Sequence, residues 1–276
     1  MLQTKRKDYD LIVSLGGSCN VASQLKFRGL RRVSLPLDWT GMFSEKPLLR
    51  LPDIIRTRFE GFCRYENMRD RGEPRIEHGK PTYSFDDEAT GFRFMHSFHA
   101  PLEDRAAFDR ERSVLAKRIE RFYDMIGASR HVLFVLTTFF AFDVKLAEDI
   151  LAAIREVFPS VDSEMVVVQF KAPGHDSFDT CAGDIHVETY PRPVDTIYDN
   201  LLTSVEWNWM DELALSGELP PGRWRRLLVK WKYKAWKALS KSLLKDGVAR
   251  GQMWYYQIER GMADECRDWP QLPQGH

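Results

Sequence analysis

Apolar runs alternate with helix-patterned stretches along the first two thirds of the chain. Leu11–Leu15, His131–Thr137 and Met165–Phe170 are nearly continuous apolar runs of strand length, which is typical of parallel sheets covered on both faces. Over Asp104–Ile126 and Val144–Phe158, apolar residues recur every three or four positions, which predicts amphipathic helices. Because strand, helix and strand in this order form right-handed parallel crossovers, we expect an α/β fold with a mainly parallel open sheet and helices on both faces.

Weaker patterns predict further elements. Ile185–Thr189 alternates like a short strand, and Phe43–Phe62 has helical spacing with a helix start near Pro47. Tyr83–Phe85 and Phe92–Phe94 each alternate, which predicts an antiparallel hairpin between them. Ile197–Leu215 also has a helical pattern. We expect one α/β domain over residues 1–215 and a basic, amphipathic helical extension over residues 216–276.

The N-terminal segment contains the strongest candidate for a chemical site. The Leu11–Leu15 strand stops at a turn formed by Gly16, Gly17 and Ser18, and a helix is predicted over Asn20–Gly29. Val33–Leu37 alternates like a second strand, which would carry Asp38 to the same sheet edge as the turn.

Cys19 follows this turn directly. A thiol at a helix N-terminus lies where the helix dipole and free N–H groups favour negative charge. Gly16 and Gly17 would let a substrate approach the backbone, and N–H groups of the turn from Ser18 to Asn20 could hold an oxyanion. Free cysteines are often simply buried, so Cys19 as a small packing residue is the alternative.

The residues around this turn resemble a known family. S-L-G-G-S-C-N-V-A, then L-x-x-x-G-L-R, then S-x-P-L-D-W are similar to a bacterial and viral family of uncharacterised proteins described as putative papain-like cysteine peptidases. The resemblance spans roughly residues 9–140 and includes a second block around His96. It implies a hydrolase with Cys19 as nucleophile, His96 as base and Asp38 in the site. The family usually has Phe at the position of Leu37 and Asp at the position of Ser97.

The predicted parallel sheet differs from papain, which has a helical lobe and an antiparallel barrel-like lobe. In outline, the pattern is closer to serine-esterase folds with a G-x-S or G-S-C turn after the first strand. We therefore take the peptidase name as a statement about the nucleophile rather than about the fold.

Several histidines could act as the base. His96 and His99 are three residues apart, so on a strand their side chains point to opposite faces and only one could reach Cys19. His175 and His186 are rivals, since their separation from Cys19 is closer to the papain spacing. A histidine that only ties a loop by hydrogen bonds is the structural alternative. No metal-binding spacing surrounds them, so we expect no metal and no cofactor.

The amino-acid composition disfavours several classes of function and of structure. Hydrophobic residues make up 43% of the 276 residues, and 40 basic and 40 acidic residues give a formal net charge of zero. The chain is therefore expected to be globular, and nothing favours nucleic acid as a partner. Four widely spaced cysteines without a C-x-x-C pair argue against a zinc knuckle or a disulfide scaffold. The N-terminus lacks an apolar signal core, so a cytoplasmic location is the expectation.

The C-terminal extension has a different character. After a Pro-Pro-Gly break, Arg223–Lys245 has Trp224 and Trp231 on an apolar helix face. Eight basic residues fill the rest of the helix surface: Arg223, Arg225, Arg226, Lys230, Lys232, Lys234, Lys237 and Lys241. Such a helix suits an anionic membrane surface, which would make the protein peripheral on the inner membrane face. The alternative is a helix packed on the domain with its lysines in water.

Three functions remain open at this point: a cysteine-nucleophile hydrolase, an esterase-like or acyl-transfer enzyme in which Ser18 or Ser14 acts, and a non-catalytic module at a membrane surface. The patterns leave the substrate unknown.

The C-terminal helix generates the first prediction. Each basic residue gains about 1 kcal/mol near an anionic surface, so the full chain should sediment with anionic lipid vesicles at low salt and less at high salt. A chain ending at Pro221 is the control. Equal sedimentation of the two, or failure of the shorter chain to fold, would contradict membrane binding by this helix.

Overall fold

The structure is a computed structural model. It describes residues 4–5, 8–72, 74–77, 80–140, 142–171, 180–191 and 205–216. The chain divides into two compact units: residues 1–75 with 81–222, and residues 76–80 with 223–276. The described residues lie almost entirely in the first unit. His175 and the helix predicted over Arg223–Lys245 fall outside them, so the C-terminal extension stays a prediction.

The described residues form strands and helices in mixed order. The strands are β1 (Asp8–Tyr9), β2 (Leu11–Ser14), β3 (Thr40–Met42), β4 (Met68–Asp70), β5 (Arg75–Glu77), β6 (Lys80–Asp87), β7 (Phe92–Phe98), β8 (His131–Thr138), β9 (Asp162–Lys171), β10 (Thr180–Ala182), β11 (Ile185–Pro191) and β12 (Ala214–Leu215). The α-helices are α1 (Cys19–Phe27), α2 (Lys46–Arg56), α3 (Arg105–Gly127) and α4 (Val144–Val157). Short 3-10 helices span Tyr65–Asn67 and Val205–Glu212.

The main sheet has the strand order β10-β11-β9-β8-β2. Neighbouring strands are parallel from β11 to β2, and β10 is an antiparallel edge strand. The prediction of a mainly parallel sheet with helices is therefore confirmed. The predicted strands at β2, β8, β9 and β11 and the predicted helices α2, α3 and α4 are all present.

Alternation along the strands produces two hydrophobic cores, one on each face of this sheet. Leu11, Val13, Phe134 and Met165 belong to the core that also holds the buried residues of α2, α3 and α4. The intervening strand residues belong to a core with α1 and the segment 205–216. Successive strand residues point to opposite faces, so each apolar run serves both cores, which explains its continuity in the sequence.

A second, antiparallel sheet has the strand order β3-β7-β6-β4. Its β6–β7 pair is the hairpin predicted from the alternating aromatic residues. Phe85, Phe92, Phe94 and Phe98 are buried in the first of the two cores. Leu15, which directly precedes the glycine turn after β2, belongs to the same core.

The predicted strand over Val33–Leu37 is wrong. The segment is irregular and enters a turn at Pro36, and a strand begins only at Thr40. Pro36 has no N–H to donate to a ladder, and the Leu35 N–H donates to the Asp38 carboxylate at 2.8 Å. Leu35 and Leu37 are buried, so their alternation reflects burial in a loop.

The helix predicted over Ile197–Leu215 is only partly described. Within it, a 3-10 helix spans Val205–Glu212, and β12 pairs in parallel with β1. Trp207 and Trp209 are buried in the core beneath α1. Residues 197–204 lie outside the described residues.

A buried polar network joins the chain start to β9 and β11. Glu164 accepts hydrogen bonds from the Tyr9 hydroxyl at 2.5 Å and from the Lys5 N–H at 2.8 Å. Its Oε1 lies 2.9 Å from His186 Nε2. Burial raises the pKa of Glu164, but the hydrogen bonds from His186, Tyr9 and Lys5 more than offset burial and leave the pKa below its usual value.

This network predicts an acid-dependent stability. Because the pKa of Glu164 is lowered by folding, its contribution is present above the pKa of the unfolded chain and is lost as pH falls through the folded value. Glu164→Gln should lower the free energy of unfolding at pH 7 by about 1–3 kcal/mol, and the difference from wild type should shrink toward pH 3. Urea denaturation followed by circular dichroism measures both.

Glu156→Gln is the matched control, because Glu156 is exposed and its ion pair with Arg56 lies on the surface. Exposed pairs contribute little, so this variant should follow wild type at every pH. A Glu164→Gln variant with the same pH dependence as wild type would contradict the role given to the network.

Candidate active site

The turn after β2 packs closely against the C-terminal end of β8. Gly16 and Gly17 have φ values of +87° and +94°, in the region that favours glycine. A Cβ on Gly17 would lie 1.7 Å from the Thr137 carbonyl oxygen. The backbone can therefore make this approach only with glycine at position 17.

Ser18 begins α1. Its hydroxyl accepts a hydrogen bond from the Asn20 N–H at 3.3 Å and lies 3.2 Å from the Thr137 hydroxyl. Thr137 in turn donates its hydroxyl to the Gly16 carbonyl at 3.2 Å. Thr137 thus fixes both ends of the glycine turn, and Ser18 serves as the N-cap.

Cys19 is the first residue of α1, at the positive end of the helix. It is 8% exposed, so a small part of the residue is in contact with solvent. Asn20 is also 8% exposed, and its Oδ1 has no hydrogen-bond partner among the described residues. A buried carbonyl oxygen without a donor is costly, so an N–H from a bound molecule would stabilise this position.

Ser14 is fully enclosed and accepts the Gly16 N–H at 3.2 Å. The hydroxyls of Ser14 and Ser18 therefore both hold the turn in shape. Cys19, by contrast, has no such structural hydrogen bond among the described contacts.

The segment between Leu37 and Met42 runs beside the glycine turn. The Met42 N–H donates to the Gly17 carbonyl at 3.2 Å, and the Leu37 carbonyl lies 3.3 Å from the position of a Cβ on Gly16. Asp38 therefore does belong to a segment that contacts the turn, although a turn and not a strand carries it there.

The Asp38 carboxylate is 2% exposed and already bound. Its Oδ2 accepts the Leu35 N–H at 2.8 Å and two N–H groups of Arg31 at 2.9 and 2.7 Å. Burial raises the pKa of Asp38, and the charges of Arg31 and Arg118 and the Leu35 N–H oppose that rise. None of its hydrogen bonds goes to a histidine in the described part of the chain. Asp38 instead stabilises the conformation of its own segment.

His96 lies on β7. This strand pairs with β3, and Thr40 of β3 lies opposite Phe94 of β7. The half-buried His96 ring packs edge-on against Trp39, with ring centroids 5.9 Å apart at 75°. Trp39 also lies beneath the Arg31 guanidinium, 5.1 Å from the ring centroid. His96 is thus tied to the segment that lines the glycine turn.

The other candidate histidines lie elsewhere. His99 is exposed, and its Nδ1 lies 3.3 Å from the Pro81 carbonyl. His186 is level with Ser14 in the sheet register, but three strand spacings separate them, roughly 14 Å, and His186 contacts Glu164. His175 falls outside the described residues.

Sequence reasoning missed Thr137 and Arg31. Thr137 is the first polar residue after the apolar run of β8, and this change in polarity is the signal that the sequence offers. Within the described ranges, no group of three or more His, Cys, Asp or Glu residues could hold a metal ion. The described helices include none that is long and apolar enough to span a membrane.

Comparison with known proteins finds one family that matches this chain. The model of the family described as "Putative papain-like cysteine peptidase (DUF1796)" matches residues 10–172. This range holds the glycine turn, Cys19, Asp38 and His96.

One curated relative is "Uncharacterized protein R408" of Acanthamoeba polyphaga mimivirus, 23% identical over 144 residues. The alignment covers 47% of this chain and 62% of that relative. No solved structure matches the chain. With the family model covering more than half of its length, the chain belongs to the putative papain-like cysteine peptidase family.

Proposed function

We propose that this protein is a cysteine-nucleophile hydrolase that cleaves an acyl bond, with Cys19 as nucleophile and His96 as general base. The observation that supports this most directly is the position of Cys19 as the first residue of α1, after a turn that only glycine can form against Thr137. The family description agrees with a cysteine nucleophile. A peptide bond is the substrate that this description suggests.

The proposed reaction follows the chemistry of other cysteine hydrolases. The His96 imidazole takes the thiol proton, and the Cys19 sulfur attacks the carbonyl carbon. N–H groups at the start of α1 hold the negative oxygen that forms. His96 then returns the proton to the leaving group as the carbon–heteroatom bond breaks, and water hydrolyses the resulting thioester to a carboxylic acid and the free thiol.

The buried side-chain oxygen of Asn20 supports an acyl substrate that carries an N–H group. Its Oδ1 has no donor in the described part of the protein, and it lies next to the nucleophile in sequence. A peptide or amide N–H of the substrate would supply the missing hydrogen bond and orient the acyl group.

The serine alternatives have less support from the geometry. Ser14 accepts the Gly16 N–H and Ser18 caps α1, so a reacting serine would give up a bond that shapes the turn. Asp38 acts in this proposal as a positioning residue. Its bonds to Arg31 and Leu35 hold Trp39, and Trp39 packs on His96.

Thiol reactivity tests the nucleophile. Burial raises the pKa of the Cys63 thiol, and the nearby Asp87 raises it further. Limited iodoacetamide at pH 7 should therefore label Cys19 before Cys63, and also before Cys181 and Cys266, as read by mass spectrometry of tryptic peptides. Faster labelling of any of these three would count against Cys19 as the nucleophile.

The base is tested by the rate of Cys19 alkylation. A thiol alone is only a few per cent thiolate at pH 7, so His96→Asn should slow alkylation by roughly tenfold by removing the proton acceptor. His99→Asn is the matched control on the same segment and should leave the rate unchanged. Equal rates in wild type and His96→Asn would rule out His96, and the circular dichroism spectrum of each variant shows that it is folded.

A further inference from the structure

Three polar side chains are buried in a row along one face of α1. Asn20 and Gln24 belong to this helix, and Arg28 follows it directly. The three are spaced four residues apart, so they are neighbours on the helix surface. Their exposed fractions are 8%, 1% and 5%. Residues of these types are mostly exposed in proteins, so each buried polar group here needs a hydrogen-bond partner.

Two members of this row have such partners. Arg28 donates through Nη1 to Gln24 Oε1, and through Nε to the Asp211 carboxylate at 2.8 Å. Asp211 belongs to the 3-10 helix Val205–Glu212, so these bonds tie that segment to α1. A structural role therefore accounts for the burial of Gln24 and Arg28.

Asn20, at the other end of the row, differs from them. Its Oδ1 is buried and has no donor among the described residues. Because Cα–Cβ bonds in a helix tilt toward its N-terminus, the Asn20 side chain leans toward the first turn of α1. The N–H groups of a first turn lack carbonyl partners within the helix, and Ser18 accepts one of them, that of Asn20. A buried acceptor without a donor therefore lies at a helix start that can supply donors.

We infer that the first turn of α1 is a subsite selective for an amide that carries an N–H group. Asn20 Oδ1 accepts that N–H, and N–H groups of the turn bind the amide oxygen.

The chemical class of the substrate follows from this pairing. The step rests on the proposed function, in which Cys19 attacks the carbonyl carbon. An ester would place a second acceptor oxygen where Asn20 Oδ1 needs a donor, so the substrate is an amide and not an ester. A peptide bond before proline also lacks the N–H group, so such bonds should resist cleavage. Sites that hydrogen-bond an N–H group discriminate strongly against analogues without it.

The missing donor predicts an unusual effect of mutation on stability. Asn20→Leu replaces an unsatisfied polar group by an apolar group of similar size, so the melting temperature of the full chain should rise by roughly 2–4 °C. Gln24→Leu, one turn further along the same face, removes the acceptor of Arg28 and should lower the melting temperature. Differential scanning calorimetry measures both. A lower melting temperature for Asn20→Leu would mean that its side chain already has a partner, and would overturn the inference.

Two alkylating reagents that differ by one N–H group test the selectivity at Cys19. Iodo-N-methylacetamide carries an amide N–H, and iodo-N,N-dimethylacetamide carries none. The ratio of their alkylation rates is measured by mass spectrometry of the Cys19 peptide and divided by the same ratio for glutathione. In wild type, this normalised ratio should favour the N–H reagent by roughly tenfold, as expected for one hydrogen bond to a buried acceptor.

Variants separate the hydrogen bond from the bulk of the extra methyl group. Asn20→Leu keeps the size of the side chain but removes the acceptor, so it should abolish the selectivity. Asn20→Asp keeps an acceptor oxygen and should retain it. Gln24→Glu keeps the acceptor for Arg28 and is the matched control, which should be as selective as wild type.

The outcomes distinguish this inference from the proposed function. If Cys19 is alkylated readily but wild type is no more selective than glutathione, or Asn20→Leu is as selective as wild type, the inference is overturned and the proposed function stands. If neither reagent alkylates Cys19, the proposed function fails and the inference fails with it.

Discussion

The contact between Gly17 and Thr137 is the constraint on which the rest of the site depends. With no side chain at position 17, the turn after β2 lies directly against the carbonyl of Thr137 on β8. Thr137 also donates to the Gly16 carbonyl and lies within hydrogen-bond distance of Ser18. The start of α1 is thereby fixed on the parallel sheet, and Cys19 takes its place at the helix N-terminus. A bulkier residue at position 17 would move the turn away from β8 and the thiol with it.

A second set of contacts attaches the antiparallel sheet to this turn. Met42 donates to the Gly17 carbonyl, and β3, which begins two residues earlier, pairs with β7. The antiparallel sheet is therefore attached to the parallel sheet at the turn that precedes Cys19. Through this attachment, Trp39 and His96 become neighbours although they are far apart in the sequence.

The hydrogen bonds of the buried polar groups around the turn indicate the role of each group. Ser14 and Ser18 are bound to the backbone they shape, and Asp38 is bound to Arg31. Cys19 and the Asn20 carbonyl lack such contacts among the described residues. Buried polar groups are nearly always paired, so the unpartnered side-chain oxygen of Asn20, next to Cys19, is where a ligand is expected to bind.

Local patterns in the sequence determined the secondary structure and the fold class. Continuous apolar runs marked β2, β8 and β9 because both faces of the parallel sheet are covered, and helical periodicity marked α3 and α4. The glycines before Cys19 marked the turn, since few other residues adopt its backbone angles.

Only the tertiary structure decided how Leu35, Leu37 and Asp38 are arranged. Their alternation matches a strand, but Pro36 and the bond from Leu35 to Asp38 remove the donors that a ladder needs. The tertiary structure likewise decided that His96 packs against Trp39 and that His186 contacts Glu164, because strand pairing and register depend on contacts between residues far apart in the chain.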